Sequence, residues 1–220
     1  MSMSNLERAL RETLRDARIE TIALPDCDAI HLGLINADYQ TGPLDPEVMQ
    51  AVIHTPAYWA FCWGSGLALA RYLLAAPEWV RGKRVIDLGS GSGVAGIAAA
   101  LAGAERVVAC DTDPHARLAT EFNAELNGVQ IDVQDTLPAH CDLLLMADVL
   151  YDRSNLPLLT LAQSHASAVL VADSRVTDLP DRSYREIARI EALTIPNLGE
   201  FDEFRTAHLF HWQRDGAQPD

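Results

Sequence analysis

The stretch Val85-Ile-Asp-Leu-Gly-Ser-Gly-Ser-Gly-Val-Ala-Gly96, continued by Ile97-Ala-Ala-Ala-Leu101, constrains the fold more than any other part of this chain. A short apolar run ends near a carboxylate, glycines follow at alternate positions, and a run of small apolar residues comes next. The first run reads as a buried strand, and the small side chains of Val94 to Leu101 suit a helix packed close against a sheet. Glycines directly after a strand let the backbone approach a ligand, and the N-terminus of the next helix supplies free N–H groups. Strand, ligand loop and crossover helix are therefore expected in that order.

The loop fits two fingerprints. Gly91, Gly93 and Gly96 spell G-x-G-x-x-G, which on its own points only weakly to a dinucleotide; a phosphate loop is excluded because no Gly-Lys-Ser/Thr follows. Read from Asp87, the same residues spell D-x-G-x-G-x-G through Gly89, Gly91 and Gly93. Asp87 sits at the carboxyl end of the strand, where a pyrophosphate would have to pass, and a carboxylate there suits a cationic ligand better. Asp111 closes the next strand, where it could accept hydrogen bonds from both hydroxyls of a ribose; dinucleotide enzymes use such an acid too, so it does not decide. Asp113, just before Pro114, is the better cap for the helix that follows.

The rest of the chain repeats the pattern. Arg106 to Cys110, Val129 to Val133, Cys141 to Ala147 and Ala168 to Ala172 are short apolar strands, with helical segments between most of them. Such alternation means a parallel α/β sheet covered on both faces. Arg189 to Ile195 and Phe204 to Gln213 are strand-like with no helix between them, so an antiparallel C-terminal edge pair is expected. The N-terminal region reads as a cover. Ser4 and Glu7 form a capping box ahead of Leu6, Leu10 and Leu14, a hairpin from Ile19 to Ile35 turns at Pro25-Asp26-Cys27-Asp28, and Asp45-Pro46 starts a short helix to about Ile53. One domain over 1–220 is expected, with a cover over 1–55, a catalytic core over 56–214 and a frayed tail over 215–220.

Composition narrows the function. The 17 Lys+Arg against 31 Asp+Glu give a formal charge of -14, which repels phosphate backbones and disfavours nucleic acid, though not cationic partners. The four cysteines are too widely spaced for a zinc pair or a disulfide framework and read as reduced, buried thiols. The seven histidines are scattered; His208 and His211 fall on opposite faces of a strand, so no metal is expected. Without a signal segment or a membrane span, a cytoplasmic protein is expected.

With its acidic residue and glycines, the loop resembles the first motif of the class I S-adenosylmethionine-dependent methyltransferases. That resemblance implies a Rossmann-like, doubly wound, mostly parallel seven-stranded sheet. S-adenosylmethionine would be held by Asp87, Gly89, Gly91, Gly93 and Asp111, with Asp135 near the adenine. Asp148 and Tyr151, in Ala147-Asp-Val-Leu-Tyr-Asp152, match the D-x-x-Y pattern at the mouth where cofactor and acceptor meet in protein lysine methyltransferases of this fold. The block Pro56-Ala-Tyr-Trp-Ala-Phe-Cys-Trp63 is similar to the one ahead of the cofactor motif in the electron-transfer-flavoprotein β-subunit lysine methyltransferases and their bacterial relatives. It implies Tyr58 and Trp59 as a wall around the acceptor, with Trp63 closing the cofactor side. Two positions depart from that family: Gly64 stands where a Pro is usual, and Asp173-Ser174-Arg175 keeps Asp and Arg of a D-P-G-R-like turn but not its Pro and Gly.

The expected activity is therefore methyl transfer to protein lysine, with a small amine as the alternative acceptor. From other classes, a nicotinamide-dependent oxidoreductase would use Gly91, Gly93 and Gly96, and a non-enzymatic module would have no need of intact motif residues. In the enzyme reading Asp148 aligns the amine and Tyr151 belongs to the aromatic wall, while Arg175 pairs with Asp173, with a substrate group or at the surface. Oligomeric state is not legible in the sequence.

Overall fold

The computed structural model describes residues 3–39, 54, 56–197 and 205–214. The expected helix from Asp45 to Ile53 and the tail at 215–220 lie outside the described residues.

Two sheets are present. The strands β1 (Ile19–Leu24) and β2 (Cys27–Ile35) form an antiparallel hairpin, with Asp26 of its turn in the left-handed backbone region at φ 54. The main sheet contains β3 (Arg84–Leu88), β4 (Arg106–Cys110), β5 (Asp132–Gln134), β6 (Cys141–Ala147), β7 (Ala166–Asp173), β8 (Arg185–Glu191) and β9 (Thr206–Gln213). Its order is β5-β4-β3-β6-β7-β9-β8. The first five strands pair in parallel, while β9 pairs antiparallel with both β7 and β8. This is the expected seven-stranded, mostly parallel sheet with an antiparallel C-terminal pair. That pair is shifted from its expected bounds, with β8 running Arg185–Glu191 rather than Arg189 to Ile195.

Alternation along each strand divides the core. Val85, Val107, Leu143, Leu145, Leu170 and Leu209 face one layer with α2 (Gly64–Ala75), α3 (Val94–Leu101) and the hairpin. Ile86, Val108, Leu144, Met146, Val169 and Phe210 face the other, where α5 (Pro157–His165) lies. A third cluster joins α1 (Met3–Thr13), Trp59 and α4 (Pro114–Leu126). All four cysteines are free and buried. No helix among the described residues is long and apolar enough to cross a membrane.

The expected capping box is not formed. Ser4 lies inside α1, and Glu7 accepts from the backbone N–H of Ile19 at 3.2 Å instead of capping its own helix. The hairpin is held to α4 by polar side chains. Asn123 Oδ1 accepts from Gly33 N at 2.7 Å, and Asn127 accepts from His31 N at 2.9 Å while donating to His31 O at 2.6 Å. These bonds satisfy the free edge of β2, which would otherwise invite pairing. At Gly33 a Cβ would lie 2.6 Å from the Phe122 ring, so only glycine permits so close an approach.

Candidate active site

The strand order reverses between the parallel neighbours β3 and β6, from which the chain winds outward to opposite sides. Ligands of open α/β sheets bind at such a switch point, outside the carboxyl ends of the strands. A cavity of about 770 Å³ lies there, within the usual range of ligand pockets. Leu88 at the end of β3, Gly89 after it, Asp111 after β4, Asp135 after β5 and Asp148 after β6 all line it.

The loop glycines serve different purposes. Gly89, Gly91 and Gly93 all have positive φ, at 73, 52 and 83. A Cβ at Gly89 would lie 2.5 Å from Val149 Cγ1, and one at Gly93 would lie 3.0 Å from Thr120, whereas Gly91 opens on space. Each of the three donates its N–H within the protein: Gly89 to Cys110 O at 2.8 Å, Gly93 to Ser90 O at 2.7 Å and Gly91 to Asp111 Oδ2 at 2.9 Å. These donors are therefore already engaged and are not offered to a pyrophosphate.

Asp87 does not line the cavity. It is 2% exposed, and its Oδ2 accepts from Gly96 N on α3 at 2.9 Å. Burial pushes its carboxyl up to about 7 against the lowering effect of that bond, and the charge of Asp111 adds to the rise. A Cβ at Gly96 would lie 3.1 Å from Asp87 Oδ2, so the third glycine of G-x-G-x-x-G makes room for Asp87. The match to the dinucleotide fingerprint follows from this packing. Asp111 faces the cavity, with Oδ1 accepting from Asp113 N at 3.0 Å, and burial raises its carboxyl too. Asp113 caps α4 as expected, accepting from His115 N at 2.8 Å.

On the opposite wall Tyr58 and Tyr151 stand 5.4 Å apart at the mouth, 45% and 53% exposed. Trp63 donates its Nε1–H to Tyr58 O at 2.8 Å, its ring centroid lies 5.8 Å from that of Tyr58, and the Arg175 guanidinium lies 6.0 Å from it. Trp59 departs from the expected wall. It reaches the cavity, but its ring is buried in the cluster with α1 and α4, edge-on to His115 at 6.1 Å. The single 3-10 turn Tyr58–Ala60 spreads its side chains around its axis, so Trp59 turns inward while Tyr58 points out.

Asp148 is the least ordinary residue of the site. Its φ is 54, a region that Asp tolerates better than most side chains. Its Oδ2 accepts from Ser65 N at 2.9 Å and Gly66 N at 3.3 Å, and its Oδ1 accepts from Ser65 Oγ at 2.6 Å. It thus caps α2, a helix 83 residues upstream, rather than the segment that follows it. Burial pushes its carboxyl up to about 7; the Ser65 hydroxyl opposes the rise, Asp173 adds to it and Arg175 opposes it. The altered turn after β7 is held by Asp173, whose Oδ1 accepts from Arg175 N at 2.8 Å and Val176 N at 2.9 Å, so the turn forms without the missing Pro and Gly.

Several residues of the site were not foreseen. Thr120 shares a hydrogen bond with Ser90 at 3.0 Å and donates to Gly91 O at 3.2 Å, while Asn123 donates to Ser92 O at 2.8 Å, so α4 fixes the glycine loop from behind. Asn155 holds the loop after β6 by donating to Val149 O at 2.8 Å. Polar residues at helical spacing, Thr120, Asn123 and Asn127, were the available signal.

Carboxylates of Asp111, Asp113, Asp135 and Asp148 line the cavity against the cation of Arg175. That donor set fits a cationic sulfonium cofactor and opposes a phosphate-bearing one. Fold and site together define a class I S-adenosylmethionine-dependent methyltransferase. Residues 71–153 match the family described as ribosomal protein L11 methyltransferase (PrmA). The electron transfer flavoprotein beta subunit lysine methyltransferase of Danio rerio is 35% identical over 175 residues, covering 74% of this chain and 67% of that protein. That of Homo sapiens is 46% identical over 105 residues, covering 45% and 40%. The chain therefore spans from 40% to 67% of the length of these two relatives. Among solved structures, the ribosomal protein L11 methylase of Lactobacillus delbrueckii subsp. bulgaricus is 25% identical with TM-score 0.50, covering 66% of this chain and 77% of that one. The Thermus thermophilus 16S rRNA N2 G1207 methyltransferase shares the fold at TM-score 0.55 and 16% identity, covering 90% of this chain and 51% of that one. The chain belongs to the electron transfer flavoprotein beta subunit lysine methyltransferase family.

Proposed function

We propose that this enzyme methylates lysine side chains of a protein, the acceptor class named for its relatives. The observation that carries the reading is Asp148 at the cavity wall, with the exposed pair Tyr58 and Tyr151 at the mouth. A carboxylate offers roughly four acceptor positions. Three on Asp148 are taken by α2, two on Oδ2 and one on Oδ1, so Oδ1 keeps a position for an amine N–H. Asp111 and Asp135 would hold the cofactor's ribose and adenine ends, and Gly91 leaves room for it. S-adenosylmethionine supplies a methyl carbon on a positive sulfur that leaves as a neutral thioether. The acceptor must arrive as the neutral amine, and lysine, with a reference pKa of about 10.4, must first release a proton to water. The tyrosine pair and Trp63 favour that form by excluding water, and Asp148 orients the nitrogen.

Incubation of the protein with radiolabelled S-adenosylmethionine and either cell extract or a purified electron transfer flavoprotein tests the acceptor. Label recovered as methyllysine from a protein band is expected; label confined to small molecules would replace lysine with an amine metabolite. Asp148→Asn should lower turnover on the order of 100-fold with cofactor affinity little changed. Full turnover in that variant would remove Asp148 from the reaction. Because protonation weakens Asp148 as an acceptor and turns one of its oxygens into a donor, wild-type turnover should fall as pH drops through about 7.

A further inference from the structure

Ser65 lies between Gly64 and Gly66, where the sequence alone suggests a turn and nothing more. In the fold it occupies the first turn of α2 with its side chain 0% exposed, and its hydroxyl has an acceptor 83 residues away, Asp148 Oδ1 at 2.6 Å. The two backbone donors of α2 both fall on Oδ2. Bonds to one oxygen alone hold the carboxylate plane loosely, because the terminal torsion of an aspartate is broad and roughly two-fold. The serine hydroxyl is the third point that stops the carboxylate from turning. It also occupies one acceptor position on Oδ1, which determines where the remaining one lies.

We infer that Ser65 is the positioning residue of the acceptor site, acting through Asp148 to set the direction and the ionisation from which that carboxylate receives the amine. The inference rests on the proposed role of Asp148 toward an amine. The groups that face Asp148 are Asp173 at the end of β7, Arg175 beyond it, the buried Cys62 thiol of the aromatic segment and Ser65 itself. Of these, the hydroxyl and the guanidinium favour the ionised form, and the neighbouring Asp173 carboxylate disfavours it. Removing the hydroxyl withdraws a stabiliser of the charge, so the pH at which Asp148 ionises must rise.

The test compares the full chain with Ser65→Ala and Ser65→Thr, using whichever acceptor the wild type labels, across pH 6 to 9. Thermal melting and cofactor affinity are measured alongside. Ser65→Ala should lose roughly tenfold in kcat with cofactor affinity held, and the acidic limb of its pH profile should move to higher pH. Ser65→Thr, which keeps the hydroxyl, should restore both. A purely structural role would lower the melting temperature without moving the limb. An unmoved limb in a folded Ser65→Ala protein, or a folded Ser65→Thr protein that fails to restore it, overturns the inference. If Ser65→Ala does not fold, Ser65→Cys replaces it, a weaker donor of similar size, and its limb must move in the same direction. Failure of the wild type to label lysine would instead sink the acceptor assignment, which the Ser65 comparison leaves untouched.

Discussion

The loops after β3 and β6 use one device in two ways. Each follows a carboxylate that burial pushes up to about 7, and each carboxylate accepts from the first turn of a helix. Asp87 takes Gly96 N of the helix that follows it, 9 residues on, and is sealed from the cavity. Asp148 takes Ser65 and Gly66 of a helix 83 residues back, and lines the cavity. A local cap folds the cofactor loop as one unit with its helix. A distant cap ties the loop after β6 to the aromatic segment, so that side of the cavity is complete only when α2 is docked beside β6.

The two regions touch at Gly89, and breaking that contact should have the largest effect on cofactor affinity. Gly89→Ala would place a Cβ 2.5 Å from Val149 Cγ1 at a φ of 73, so steric overlap and backbone strain act together. Cofactor affinity should fall more than about tenfold and turnover with it, because both loops must shift. Calorimetric titration with S-adenosylhomocysteine measures this; near-normal binding would mean that the loops move independently.

A smaller effect, confined to the cofactor side, is expected at Asn123. Its side chain joins Gly33 N of the hairpin to Ser92 O of the glycine loop. Asn123→Ala leaves two buried backbone groups unpaired at about 1 to 3 kcal/mol each, which denaturant unfolding would register. Cofactor affinity should weaken severalfold, while the pH limb proposed above for Asp148 should stay where it is. A moved limb would mean that the two regions are coupled through α4 as well as through Gly89.

The comparison also separates what the sequence discloses from what it hides. The bounds of α3, β4 and β6 follow from runs that are almost wholly apolar, and the cofactor loop is legible because its cap, its glycines and its helix are contiguous. The D-x-x-Y residues and the aromatic block were identifiable as residue types, but what they touch was not. Asp148 meets Ser65 only through the sheet order, and a serine between two glycines carries no periodic signal. Trp59 both reaches the cavity and packs in the core, a division not legible in the sequence because a run of aromatics does not state which ring turns inward. Ser4 and Glu7 match a capping pattern whose geometry was overridden when Glu7 found Ile19 N.

The smallest effect tests whether the two carboxylates are electrostatically alike despite their different partners. Both titrate in the fold near 7, well above the reference value of about 3.9 for an unfolded aspartate. Between those values the folded chain keeps protons that the unfolded chain has released, so stability falls as pH rises from about 4 to about 7. Below about pH 4 both states are protonated and the full stability remains. Asp87→Asn keeps an acceptor for Gly96 N and cannot ionise, so it should remove its share of the loss, up to about 1.4 kcal/mol per pH unit. Denaturant midpoints at pH 4.5, 6 and 7.5 would show a flatter decline than the wild type. Asp148→Asn should flatten it by a similar amount if burial alone sets both values. A clearly smaller change at Asp148 would mean that opening toward the cavity relieves its burial, and that the distant cap leaves the acceptor carboxylate readier to ionise than its sealed counterpart.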